Sequence, residues 1–195
     1  MIPVHVENVE GIFFAVVLRD GKILRTTFNV SQKATMDTIR GNLVDGNPVE
    51  MFTQPSRQLS TLFAALRDLY DGKNTNYNFI LSDASLPPYS QRVLRAVSAI
   101  PTGYVASYGA VAKAVGGGAR AVGNVMASNP FPLIVPCHRI VKSDLGLGGY
   151  GAGGLGVKLE FLKREQRNYS EPKEIEIGNK MLKVFPTETV VKKYC

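Results

Sequence analysis

The chain has 195 residues, 45% of them hydrophobic and 20% charged, and its 23 Lys and Arg against 16 Asp and Glu give a net charge of +7. That balance belongs to globular chains and excludes disordered or collagenous classes, and the lack of an apolar run of about 18 residues excludes a membrane-spanning helix. Two cysteines, Cys137 and Cys195, exclude a disulfide scaffold, and residues 1–10 carry neither the basic nor the apolar stretch of a signal peptide, so a cytoplasmic protein is expected.

The first third reads as an α+β unit. Residues 12–18 and 23–30 are rich in β-branched and aromatic types and flank Asp20-Gly21, a two-residue hairpin turn. Residues 55–70 repeat Leu59, Leu62, Phe63, Leu66 and Leu69 at helical spacing and stop at Asp71-Gly72. Residues 77–81 read as one more strand, and Leu86-Pro87-Pro88 as a linker. The expected organisation is an N-terminal sheet and helix domain over 1–86, a second domain over 87–170, and an extension over 171–195.

The second domain changes character to short helices and glycine turns. Ser90 is placed to cap a helix carrying Val93, Leu94, Val97 and Ile100, which Pro101 and Gly103 end. Ser107 is placed to cap a helix over 108–115, and Gly116-Gly117-Gly118 turns the chain into another over 119–128, giving a helix-turn-helix. Ala119, Ala121, Gly123 and Ala127 on the latter helix are small and Arg120 is its only cation. Two readings stand: a face that approaches a ligand closely, or tight packing on a neighbouring helix. The charge excess sits here too: residues 87–170 hold 10 Lys and Arg against 3 Asp and Glu, whereas residues 1–86 hold 8 against 9. A polyanionic partner explains that concentration, and so does a basic surface without a ligand.

The chemistry concentrates at Pro136-Cys137-His138-Arg139. Residues 133–135 read as a buried apolar strand delivering Cys137, where apolar surroundings raise a thiol pKa and leave it inert unless a base assists. His138 is the available base, although neighbours on an extended chain point to opposite sides, so it reaches the thiol only through a turn or a bridging water. Glu160 and Glu165, on a helix over 157–166, are the carboxylates able to orient an imidazole. A buried structural cysteine fits the residues equally well. A zinc site is not supported, since His5, His138, Cys137 and Cys195 lack ligand spacing. Gly151-Ala-Gly153-Gly154-Leu-Gly156 matches a dinucleotide fingerprint on paper, but no βαβ unit follows it, and a glycine loop lining a site is the better account.

Pro136-Cys137-His138-Arg139-Ile140-Val141 resembles the signature of the O6-alkylguanine-DNA alkyltransferases. The resemblance extends through Ile100-Pro101, Gly103, Ser107-Tyr108-Gly109, Ala119-Arg120, Gly123, Asn129-Pro130, Gly153-Gly154-Leu155 and Lys158, and covers residues 87–166 closely. It implies a ribonuclease-H-like N-terminal domain, a winged helix-turn-helix-like C-terminal domain, and repair by single-turnover transfer of an alkyl group from O6 of guanine to Cys137, with O4 of thymine a second candidate donor of the alkyl group. It also implies a catalytic set of Cys137, a water-bridged His138, Glu165, Asn129 bracing the turn, and Tyr108 protonating guanine while helping to rotate the nucleotide outward. Contacts to the minor groove of double-stranded DNA fall to Arg120 as the intercalating residue, with Ala119, Ala121, Tyr108, Ala127 and Ser128. The substrate pocket is assigned to Met126, Pro132, Val135, Ile140, Tyr150, Gly151 and Ala152, the carbonyls of Cys137 and Ile140 reading the guanine edge. No metal or cofactor is implied, and a monomer is expected. The alternative is a non-catalytic alkyltransferase-like lesion binder, although such relatives replace the nucleophile. Residues 173–184 read as a hairpin turning at Gly178-Asn179, packed on the first domain or on another copy, and Cys195 as incidental.

Overall fold

A computed structural model describes residues 2–42, 49–53 and 56–194. Three strands open the chain, β1 (Ile2–Val9), β2 (Ile12–Arg19) and β3 (Lys22–Asn29), followed by helix α1 (Gln32–Asn42), strand β4 (Val49–Phe52) and helix α2 (Arg57–Tyr70). The turn at Asp20-Gly21 forms as expected, both residues adopting positive φ, and a second turn of the same kind at Glu10-Gly11 pairs β1 with β2. The sheet order is β3-β2-β1-β4, with β4 parallel to β1. Helix α1 covers one face over Val4, Val6, Ala15 and Val17, and α2 covers the other over Phe14 and Val16 with Leu62, Phe63 and Leu66. Ser56 caps α2 by accepting from the Leu59 amide; Pro55, expected to open this helix, and Cys195 lie outside the described residues.

The second half carries α3 (Pro88–Ser98), β5 (Tyr104–Ser107), α4 (Tyr108–Val115), α5 (Ala119–Ala127), a tight 3-10 turn (Cys137–Arg139), β6 (Ile140–Val141), α6 (Gly154–Arg164), β7 (Lys173–Ile177), β8 (Lys180–Pro186) and α7 (Thr187–Val191). Ser107 caps α4 as read from the sequence, its hydroxyl accepting from the Ala110 amide at 3.1 Å. No helix among the described residues is long and apolar enough to cross a membrane.

Several local expectations are corrected. Ser90 does not cap α3: Pro88 starts that helix, where its missing N–H costs nothing, and Ser90 lies inside. Residues 77–81 do not form a strand; they run extended beside β3, tied by Ile23 N to Ile80 O and Ser82 N to Ile23 O, with a single bridge at Leu81. Residues 133–135 are not a strand either but a tight turn with Leu133 at φ 73°, because Pro130, Pro132 and Pro136 flank or interrupt any ladder there. The helix expected over 157–166 begins at Gly154 and ends at Arg164, leaving Glu165 as its C-cap. The hairpin at Gly178-Asn179 forms, but β8 pairs with β5 through Tyr104 and Val105, giving a sheet β6-β5-β8-β7 within the second half rather than packing on the first domain.

The two halves share a core. Phe28 of β3, Tyr70 of α2 and Phe161 of α6 meet edge to face at 5.2–5.6 Å between centroids, and Arg164 lies over the Tyr70 ring at 4.6 Å while donating to its carbonyl. On the β3 edge, the Thr26 amide and hydroxyl donate to the carbonyls of Pro130 and Pro132, so the first sheet holds the loop that leads to Cys137.

Candidate active site

Helices α4 and α5 form the expected helix-turn-helix, and the glycine turn is sterically required. Gly117 has φ 91°, and a Cβ there would stand 2.8 Å from the Tyr89 hydroxyl. Val122, Val125 and Met126 turn into the core, while Ala119, Arg120, Ala127 and Ser128 are exposed. The two readings of the small residues thus divide by face: Ala119 and Ala127 leave an open surface around Arg120, which has no ion-pair partner among the described residues, whereas Ala121 is half-buried and Gly123 faces the Tyr108 ring. Small side chains on the open face keep the backbone close to any ligand surface laid against it.

The turn after α5 delivers the cysteine. Asn129 braces it at both ends, its carbonyl oxygen accepting from the Phe131 amide at 3.0 Å and its amide donating to the Val135 carbonyl at 3.0 Å. Cys137 then opens the 3-10 turn and is 8% exposed. That small opening faces a cavity of about 710 Å³ lined on one side by Met126, Ala127, Ser128, Asn129 and Pro132, on another by Gly151, Ala152 and Gly153, and on the third by β3 and Tyr70. Of the expected pocket residues, Met126, Pro132, Gly151 and Ala152 reach this cavity. Val135 and Ile140 do not, both being fully buried, and Tyr150 stands behind it against His138 and Phe161. Tyr108 is also outside the lining; its ring packs on Gly148, where a Cβ would come within 3.0 Å of it.

Behind the cysteine lies a buried polar network. His138 Nε2 and Glu165 Oε1 are 2.8 Å apart, with only 2% and 1% of these residues exposed. Arg139 grips the same carboxylate through Nε at 2.9 Å and Nη2 at 2.8 Å, and donates also to the Ile100 carbonyl and the Thr102 hydroxyl. Burial alone would raise the Glu165 pKa, but the charges and hydrogen bonds of His138 and Arg139 outweigh it and hold the carboxyl at about 2. Burial pulls the His138 pKa below its ordinary value, against the pull of Glu165, so the imidazole is neutral at pH 7. Its Nδ1 is buried with no hydrogen-bond partner among the described residues. Burial pushes the Cys137 thiol up, opposed by hydrogen bonding from Asn129 and the charge of Lys158. The resting site therefore pairs a protonated thiol with a neutral imidazole whose other nitrogen is fixed by a carboxylate. Of the two carboxylates weighed from sequence, Glu160 is exposed and pairs with Lys163.

Three contributions went unread in the sequence. Arg139 is the second partner of Glu165; a cation inside an otherwise apolar segment was the available signal. Lys158 is fully buried, its ammonium donating to the carbonyls of Ile140 at 2.5 Å, Leu147 at 2.6 Å and Gly149 at 3.2 Å. Burial lowers its pKa to about 8, which still leaves it mostly an ammonium at neutral pH. Arg25, Thr26, Thr27 and Asn29 form the β3 wall, which no local pattern announces because it arises only when the halves pack. Among the described residues no group of three or more His, Cys, Asp or Glu is placed to hold a metal ion.

Comparison with known proteins agrees with this geometry. The family pattern described as 6-O-methylguanine DNA methyltransferase, DNA binding domain, matches residues 88–167. The methylated-DNA–protein-cysteine methyltransferase of Methanothermobacter thermautotrophicus is 35% identical over 114 residues, 58% of this chain and 64% of that relative, so the alignment spans a little under two thirds of it. The protein of the same name from Mycolicibacterium paratuberculosis is 36% identical over 119 residues, 60% of this chain and 71% of the relative. The crystal structure of the O6-methylguanine-DNA methyltransferase of Pyrococcus kodakaraensis strain KOD1 superposes with a TM-score of 0.67 at 28% identity, covering 85% of this chain and 99% of that one. A helix-turn-helix beside a cavity with Cys137 in its wall, a His-Glu-Arg network behind it, and these relatives lead to one assignment: the chain belongs to the methylated-DNA–protein-cysteine methyltransferase family.

Proposed function

We propose that this protein repairs duplex DNA by moving the alkyl group from O6 of a flipped-out guanine onto Cys137, once per molecule. The observation that carries the reading is Cys137 at the wall of a cavity with room for a purine, with a neutral His138, itself oriented by Glu165, behind it. The open face of α5 lies in the minor groove, Arg120 occupies the space the nucleotide leaves, and the base enters between Pro132 and the glycine loop. Opening the stack costs a few kcal/mol, which contacts in the cavity offset.

The Cys137 proton passes by way of a bridging water to Nδ1 of His138 as sulfur attacks the alkyl carbon in line. The C–S bond forms while the C–O6 bond breaks, and the electron pair moves into the guanine ring. Tyr108 packs on Gly148 outside the lining of the free cavity, and burial raises its pKa so that it keeps its proton; as the base seats it donates to guanine N3 and takes back the proton left on His138, so the thiol hydrogen ends on guanine. The thioether has no reductive exit of the kind a disulfide has, and turnover stops at one. The protein acts as a monomer, since one chain supplies every group named.

The test uses a duplex holding one O6-methylguanine. Incubation is expected to leave unmodified guanine in the DNA and one methyl group on the peptide containing Cys137, with product never exceeding the amount of protein. Tight binding of the duplex with the methyl group still on DNA would instead identify a non-catalytic lesion binder.

A further inference from the structure

The glycine loop that closes one side of the cavity has little structure of its own. Among the described residues, no backbone-to-backbone hydrogen bond outside the helices and strands joins any residue from Gly148 to Ala152, a stretch that holds three glycines. Such a segment has high conformational freedom unless it is anchored at its ends. One end runs into α6 at Gly154. The other end is Leu147, and both of its backbone polar groups are taken by side chains: its carbonyl accepts from Lys158, and its N–H donates to the hydroxyl of Tyr194 at 3.0 Å.

Tyr194 lies past the residues that the family pattern matches, in the segment that follows β8. That segment makes two further attachments to the same loop. The Lys193 ammonium donates to the Asp144 carbonyl, and Val190 and Val191 of α7 bury themselves against Leu147, Val141 and Leu162, with Leu145 packed alongside. Apolar contact alone would serve stability anywhere on the surface. The polar contacts are more selective, because they fix Asp144 and Leu147, and Leu147 directly precedes the Gly148 on which Tyr108 rests and lies four residues before Gly151 in the cavity wall.

We propose that residues 187–194 are a positioning clasp for the base-binding loop, with Tyr194 as its main positioning residue. The inference rests on the alkyl-transfer reading of Cys137. The clasp holds the loop in the conformation that receives the base, and it touches neither the base nor the thiol. Loosening it lowers the fraction of molecules ready to bind, which raises the apparent dissociation constant while leaving the chemical step as it was.

The full-length wild type, Tyr194→Phe and Lys193→Met are each labelled with O6-benzylguanine over a range of concentrations, and amide deuterium uptake of residues 144–153 is followed alongside thermal unfolding. The clasp predicts that Tyr194→Phe raises the half-saturating concentration about threefold or more. It also predicts faster uptake confined to this loop, with the limiting rate constant and the unfolding temperature close to wild type. Lys193→Met is expected to change both in the same direction. Unchanged saturation and uptake in both variants, with the wild type labelled normally, would overturn the clasp alone, and so would a loss of protection spread over the whole chain. A wild type that takes no label at Cys137 would overturn the underlying reading, and the clasp with it.

Discussion

Glu165 is shared by His138 and Arg139 deep beneath the surface, and the cost of disturbing it follows from burial. Glu165→Gln leaves the Arg139 charge buried without its partner, and breaking a buried pair in this way costs about 3–5 kcal/mol. Urea unfolding is expected to record that loss, and the alkylation rate should fall as well because the imidazole loses its orienting acceptor. The folded Glu165 pKa of about 2 lies below its ordinary 4.5. The ionised network therefore stabilises the fold fully above about pH 4.5, and this contribution is lost as the pH falls toward about 2. His138 and Cys137 set the pH dependence of the reaction. With the imidazole pKa pulled down and the thiol pKa pushed up, the neutral thiol and neutral imidazole coexist over a broad range. The single-turnover rate constant should accordingly be level from about pH 8 to 6.5 and decline only on further acidification. A rate rising tenfold per pH unit across that interval would mean free thiolate attacks without the imidazole.

Among the elements, those whose signals are local could be read from sequence. The Ser107 cap, the glycine turn and the periodic apolar residues define α4 and α5, and Asp20-Gly21 defines the hairpin of β2 and β3. The turn at 130–136 misled because Leu133, Ile134 and Val135 have strand-like side chains, yet the prolines around them remove ladder donors, and the loop is held by Asn129 and by Thr26 from the other half. The β3 wall of the cavity and the pairing of β8 with β5 are contacts between residues far apart in sequence, which no local pattern encodes. At the helix-turn-helix, Gly117→Ala forces a left-handed residue toward the Tyr89 hydroxyl. It should destabilise the fold by roughly 1–3 kcal/mol, a drop in unfolding temperature of about 2–4 °C for each kcal/mol in a chain of this size. Arg120→Ala, on the exposed face of α5, should slow reaction with lesion-bearing duplex far more than with free O6-benzylguanine, since only duplex requires a nucleotide to be displaced. Equal slowing on both substrates would remove Arg120 from that role.

Over the whole molecule, the charge and the chemistry lie in the same half. Residues 87–170 carry the basic excess, the helix-turn-helix and Cys137, while the first sheet contributes a cavity wall and the anchor for the cysteine loop. Phe28, Tyr70, Phe161 and Arg164 fasten one half to the other, so the cavity depends on both being folded. The central claim is that Cys137 accepts an alkyl group and keeps it. Intact mass after incubation with O6-benzylguanine tests it most directly: the account predicts one added benzyl group on the wild type, none on Cys137→Ala, and no further addition when fresh reagent is supplied. An unmodified wild type, or equal labelling of the Cys137→Ala protein, would contradict it.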